Sequence, residues 1–269
     1  MRGNGARASW LATGWLTVAL AGLTAPAARA LDLDRYGRVL EAHTREVPDT
    51  AGVRVDYRAL RDSAEWRAVL ASLAASDPGR LASRSERLAF WINAYNVLAV
   101  DLVARNLPLA SIRDVGSLLR PVWKREAGRV GGRGVTLDEI EHAILRPLGE
   151  PRIHAAIVCA SVSCPPLARS PYRAERLDAQ LDASLARWLA DPRKGSHLDP
   201  AAGVLRVSRI FEWFAGDFAA AGGVLAFVTP HLPEATRRWL AAHGGEAELA
   251  YFDYDWSLNA LRDQHPAGS

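Results

Sequence analysis

The chain has 269 residues, 49% of them hydrophobic, with 33 Lys and Arg against 30 Asp and Glu. Arg2, Arg7 and Arg29 account for the whole positive excess, since the first 30 residues contain no acid. From residue 31 onward basic and acidic residues number 30 each, so no electrostatic footprint for phosphate backbones remains and nucleic acid is excluded as an expected partner.

The N-terminus has the three parts of a cleavable export signal. Arg2 and Arg7 form a basic start, Trp10 to Leu23 carries no charge, and Ala28-Arg29-Ala30 fits the A-x-A cleavage pattern. The uncharged stretch is shorter than the ~20 residues a spanning helix needs. The expectation is cleavage after Ala30, a periplasmic or secreted protein, and no stable membrane anchor afterwards. Residues 31–269 are expected to form a single globular domain, with no repeat or low-complexity tract to divide them.

Residues 34 to 76 have a helical pattern with a break around Pro48 to Gly52, and Asp77-Pro78-Gly79 supplies a stop. Ser83 followed by Glu86 has capping-box spacing, and the run to about Arg105 is apolar on nearly every side, which predicts a buried helix. Asn93 and Asn96 then lie inside the protein and need fixed hydrogen-bond partners. The Gly131-Gly132-Arg133-Gly134 segment predicts a hairpin turn, and Thr136 with Glu139 a second capping box, opening a helix to about Arg146. Ile153 to Ala160 has the pattern of a buried strand entering a Ser-rich loop before Pro165-Pro166. Leu177, Leu181, Leu185 and Trp188 give an amphipathic helix over 174 to 190. A hairpin over 196 to 207, a turn capped by Ser208, a helix over 232 to 242 and a strand from Leu249 to Tyr254 complete the pattern. The expected class is α+β: helix-rich, with a small, mostly antiparallel sheet.

Chemistry-bearing residues are densest between Glu141 and Cys164. Glu141, His142 and Arg146 fall on one predicted helix, His154 on the predicted strand, and Cys159 and Cys164, the only cysteines, in the loop after it. Several blocks here and beyond resemble the domain-of-unknown-function 547 family: Phe90 to Asn96, Thr136 to His142 with Leu145-Arg146, Ile153 to Ala156 through Cys159 to Leu167, Ile210 to Phe214 with Asp217-Phe218, and Tyr254 to Asn259. The resemblance spans about 85–260 and implies kinship without an assigned activity.

Three readings of these residues stay open. In the first, Cys164 is a nucleophile for hydrolysis or acyl transfer on an amide or ester, His154 is its base, and Asp255, Asn93 or Asn96 orients the imidazole. In the second, Cys159 and Cys164 form a structural disulfide, which an oxidising compartment permits, and the domain is a non-catalytic binding or scaffold module. In the third, His142, His154 and Cys164, with a carboxylate such as Glu141, hold zinc. Blander roles also fit: His142 lies at i+4 from Asp138, and Arg146 near a helix C-terminus complements its dipole. No nucleotide, flavin or haem motif occurs, so no cofactor is expected.

Overall fold

The computed structural model describes residues 30–117 and 119–261. The expected export segment lies outside these residues apart from Ala30.

Asp32 caps the first helix, α1 (Leu33–His43), its carboxylate accepting from the Arg35 N–H at 2.9 Å. The chain then forms a short antiparallel hairpin, β1 (Thr44–Glu46) with β2 (Val53–Val55). The expected helix break at Pro48 to Gly52 is the tip of this hairpin. Asp56 and Ser63 cap α2 (Tyr57–Asp62) and α3 (Ala64–Ala74) in succession. Short polar side chains at these points take up N–H groups that the first helical turn cannot satisfy itself.

The organising element is α4 (Arg84–Asn106), 23 residues long and opened by the expected Ser83/Glu86 capping box. It is buried on all sides: Ile92, Val97 and Val103 have no exposed surface, and Asn93 and Asn96 sit among them. Each amide is matched to backbone. Asn93 donates to the Tyr172 carbonyl at 2.7 Å and accepts from the Tyr172 N–H at 3.0 Å. Asn96 donates to the Ala156 carbonyl and accepts from the Val158 N–H, both at 2.8 Å. A buried irregular segment must find partners for its backbone groups, and α4 supplies them from its side chains.

The hairpin β3 (Glu126–Val130) with β4 (Arg133–Thr136) turns at Gly131 and Gly132, whose φ values of +59° and +76° are those of a tight turn that favours glycine twice. Later come α5 (Leu177–Leu189), the hairpin β5 (Ser196–Asp199) with β6 (Val204–Val207), α6 (Arg209–Trp213), α7 (Val224–Val228), α8 (Glu234–Ala242) and β7 (Glu248–Tyr251). β7 adds to β6 in parallel, whereas the other strand pairs among the described residues are antiparallel. The class is therefore α+β and helix-rich, with the strands spread over two hairpins and one three-stranded sheet. Two apolar clusters result, one around α4 and one where Trp188 stacks on Phe211 with ring centres 4.9 Å apart. No helix among the described residues is long and apolar enough to cross a membrane.

Two expected elements take other forms. Ile153 to Ala160 is not a strand: Pro151–Ala155 forms a 3₁₀ turn, and the irregular backbone after it is paired to Asn96 of α4 through Ala156 and Val158. The helix expected from Thr136 is a π-helical turn, Glu139–Leu145, in which the Arg146 N–H reaches the Glu141 carbonyl. Thr136 still caps it, accepting from the Glu139 N–H at 3.0 Å, but the Glu139 carboxylate turns away to Arg133 at 2.7 Å. Pro147 has no N–H to continue an α-helical ladder, and the chain closes through a 3₁₀ turn, Arg146–Leu148.

Candidate functional site

The loop from Cys159 to Cys164 is held by its backbone. Val162 N–H donates to the Ser257 carbonyl at 2.8 Å, Ser163 N–H to the Asp255 carbonyl at 3.2 Å, and Asn259 N–H to the Ala160 carbonyl at 3.0 Å. Ala160 turns the loop with φ +62°, a conformation that costs a residue with a Cβ about 1 kcal/mol or more and is found disproportionately at functional sites. Beneath the loop lies Lys194, 2% exposed, whose ammonium donates to the carbonyls of Ala51, Val162 and Cys164 at 2.9, 3.0 and 2.6 Å. Burial pushes its pKa down to about 7. Gly195 makes this placement possible, because a Cβ there would lie 1.7 Å from the Trp188 carbonyl oxygen.

Cys159 and Cys164 are joined in a disulfide, with Cα atoms 6.3 Å apart. Three donors surround the Cys164 sulfur: the Cys159 N–H at 3.1 Å, the Ser161 hydroxyl at 3.2 Å and the Tyr254 hydroxyl at 3.2 Å. Ser161 also lies 3.0 Å from the Tyr254 oxygen, and its single proton goes either there or to the sulfur. Burial raises the Tyr254 pKa far above its ordinary value, which keeps the phenol protonated and able to donate.

His154 sits on the 3₁₀ turn Pro151–Ala155, 2% exposed, its ring stacked on Phe214 with centres 4.2 Å apart. Its Nε2 lies 2.8 Å from Asp217 Oδ2. Arg146 grips both oxygens of the same carboxylate at 2.7 Å, through Nε and Nη2. Burial, opposed by Asp217, lowers the His154 pKa to about 4. The imidazole is neutral at physiological pH, and because a carboxylate only accepts, Nε2 carries the proton and Nδ1 keeps a lone pair. Hydrogen bonds from Arg146, and then from His154, hold the Asp217 pKa below its usual range.

The partner of His154 thus differs from every expected one. Asn93 and Asn96 are fully engaged with backbone. The Asp255 side chain is exposed and accepts from the Ser257 N–H at 2.9 Å, while its own N–H donates to Ser163 Oγ at 2.9 Å. Asp217 takes the orienting position from a 3₁₀ segment, Ala215–Ala221, and Arg146 anchors it instead of merely facing a helix dipole.

Glu141 projects from the π turn. Its carboxylate accepts from the Tyr95 hydroxyl at 3.4 Å, and burial, only partly offset by Arg146, raises its pKa to about 7. π turns insert a residue into a helix and occur frequently at functional sites. Beside it His142 lies 3.8 Å from Asp138, as expected at i+4, and its Nδ1 lies 2.9 Å from Arg146 Nη1.

Glu141, His142, His154, Cys159 and Cys164 line a single cleft of about 180 Å³, together with Asp138, Tyr95 and a set of aromatic rings. Trp213 stacks on Trp256 at 5.7 Å, and Tyr254 lies 4.8 Å from Trp213 and 4.5 Å from Trp256. Trp213 is 46% exposed, an unusual cost for so large an apolar side chain. The zinc reading finds no ligand set: among the described residues no group of three or more His, Cys, Asp or Glu is placed to hold a metal ion, and the Cys164 sulfur is bonded to Cys159.

Fold and site together define a helix-rich α+β protein in which a His–Asp–Arg network and a disulfide share one aromatic cleft. Residues 79–189 match the family model described as protein of unknown function, DUF547. The match takes in α4, the π turn, His154 and both cysteines, whereas Asp217, Trp213 and Tyr254 lie beyond it. No curated protein and no solved structure matches the chain.

Proposed function

We propose that the cleft performs thiol chemistry, with Cys164 as nucleophile toward an ester or amide acyl group once a dithiol has reduced its bond to Cys159. The observation that carries this reading is the convergence of three hydrogen-bond donors on the Cys164 sulfur. A disulfide sulfur is a weak acceptor and gains little from them. A thiolate gains much more, and hydrogen bonds to the charged form lower a thiol's pKa. Neutral His154, oriented by Asp217, is a base in the same cleft. The loop's attachment to Lys194 and to residues 255–259 does not depend on the sulfur–sulfur bond, which supports opening the disulfide without losing the loop. The export pattern at the N-terminus supports the disulfide as the resting state, in a periplasmic or secreted protein that folds as one domain.

The test is alkylation of the reduced protein with iodoacetamide across pH, each cysteine followed by mass spectrometry. Cys164 should titrate at least one pH unit below an ordinary thiol near 8.5, and Tyr254→Phe should raise that value. A scaffold whose disulfide only ties the loop predicts ordinary titration of both thiols and no effect of Tyr254→Phe, which would exclude thiol catalysis here.

A further inference from the structure

The walls of the cleft have a definite sign. Among the described residues that line it, the charged side chains are Asp138 and Glu141, and neither Lys nor Arg contributes. The Arg146 guanidinium is committed to Asp217 at 2.7 Å through two nitrogens and offsets the Glu141 charge only in part. His154 is neutral. The Glu141 carboxylate accepts from the Tyr95 hydroxyl and, among the described residues, forms no salt bridge. Trp213, Tyr254, Trp256 and Phe214 line the same cleft, the Phe214 ring already facing the Arg146 guanidinium at 5.2 Å and the stacked His154 ring at 4.2 Å. Aromatic faces carry negative quadrupole charge and attract cations. This cluster already does so: the Arg113 guanidinium lies 5.2 Å from the Trp256 ring centre. A carboxylate and several π faces enclosing about 180 Å³ match an ammonium attached to a small apolar or aromatic body, whereas an anion would meet both acids and find no donor of full charge.

We propose that the cleft binds a primary amine, its ammonium against Glu141 and its apolar body against Trp213 and Tyr254. The proposal deepens the thiol reading, because an amine held there is an acyl acceptor. The acyl group would enter as an ester: the Cys164 thiol gives its proton to His154, the sulfur bonds to the carbonyl carbon, the carbon–oxygen bond breaks, and the leaving alkoxide takes that proton and departs as the alcohol. The bound ammonium gives a proton to Glu141, whose pKa is raised to about 7 by burial. The amine nitrogen then bonds to the thioester carbon, the carbon–sulfur bond breaks, and the amide product leaves. Cys164 returns as a thiolate among its three donors, and the nitrogen's second proton passes to a base such as His154.

Binding is tested first on the protein with its disulfide intact, by isothermal titration with phenethylamine, 2-phenylethanol and phenylacetate, which share a body and differ in charge. Phenethylamine should bind at least tenfold more tightly than the other two. Glu141→Gln should abolish the preference, and Trp213→Ala should weaken binding of the amine severalfold; Glu141→Asp serves if the glutamine variant does not fold. Equal binding of the three compounds, tighter binding of phenylacetate, or no saturable binding of the amine overturns the proposal. A second arm uses the reduced protein, p-nitrophenyl acetate and phenethylamine, reading formation of N-phenethylacetamide. Amine binding without amide formation would sink the thiol reading and leave the amine site standing. A low-titrating Cys164 without amine binding would do the reverse.

Discussion

His154 Nε2 and Asp217 Oδ2 meet at 2.8 Å across 63 positions of sequence, and Arg146 closes the far side of the same carboxylate. One acid therefore serves two donors at once, which fixes the imidazole's proton on the side away from its free lone pair.

Replacing Asp217 by Asn keeps the shape and removes the charge. An amide has one acceptor oxygen for three donor contacts, and its NH2 must face either Arg146 or the His154 N–H. Asp217→Asn should destabilise the protein by roughly 1 to 2 kcal/mol in urea unfolding, the pair being partly open to solvent. In the reduced protein it should slow acylation of Cys164 more than tenfold while leaving the thiol's titration in place, because Asp217 orients the base and does not touch the sulfur.

Glu141 sets a pH dependence of opposite sign to that of an ordinary paired carboxylate. Its folded pKa of about 7 lies above the unfolded 4.5, so between these values the folded protein binds the additional proton. That contribution to stability is fully present below pH 4.5 and is lost as pH rises through 7. For a partly exposed group it amounts to roughly 1 to 2 kcal/mol. Urea unfolding at pH 5 and pH 8 should show this slope in the parent and a flatter one in Glu141→Gln, once the other titrating groups, which both proteins share, are subtracted.

Lys194→Met replaces a buried ammonium with an apolar chain of similar length. The carbonyls of Ala51, Val162 and Cys164 lose their common donor, while the cost of burying a charge also disappears. The expected net loss is about 2 kcal/mol. Hydrogen exchange gives the sharper readout: the Val162 and Ser163 amides should exchange faster, with those of α4 unchanged apart from any global loss.

Asn96→Ala orphans the Ala156 carbonyl and the Val158 N–H in the interior. A cost of about 2 to 4 kcal/mol in chemical denaturation is expected. Restoring the bonds with Asn96→Asp should fail, since a carboxylate cannot donate to Ala156.

Legibility of the fold followed the range of the forces involved. The α4 capping box, the Gly131-Gly132 turn, α5 and the β5–β6 hairpin are local events, and spacing alone placed them within a few residues. The β1–β2 hairpin was missed because three-residue strands flanking a Pro–Gly break leave no alternation to detect. Ile153 to Ala160 had a strand's composition, but its hydrogen bonds go to Asn96, and nothing in an apolar run says which partner its backbone will find. The two asparagines were legible as buried amides in need of partners, though not as backbone clamps. At the site, Glu141, His142, His154 and Cys164 stood out by residue type and do share one cleft. Asp217 did not, although a lone acid between Phe214 and Phe218 in an apolar stretch was the available signal. Its role depends on His154 and Arg146, which only tertiary structure brings to it.

The isolated pairings of Val55 with Ala260 and of Ser161 with Leu258 place residues 254–261 between an early hairpin and the cysteine loop. Tyr254, which completes the set of donors on Cys164, arrives with that segment. A polypeptide emerging N-terminus first from a ribosome therefore exposes both cysteines before residues 254–261, which pack beside their loop, have been made. Until residue 254 follows, neither cysteine has the Tyr254 hydroxyl beside it. Their pairing is thus suited to being an early event of folding, completed before Tyr254 reaches the cleft.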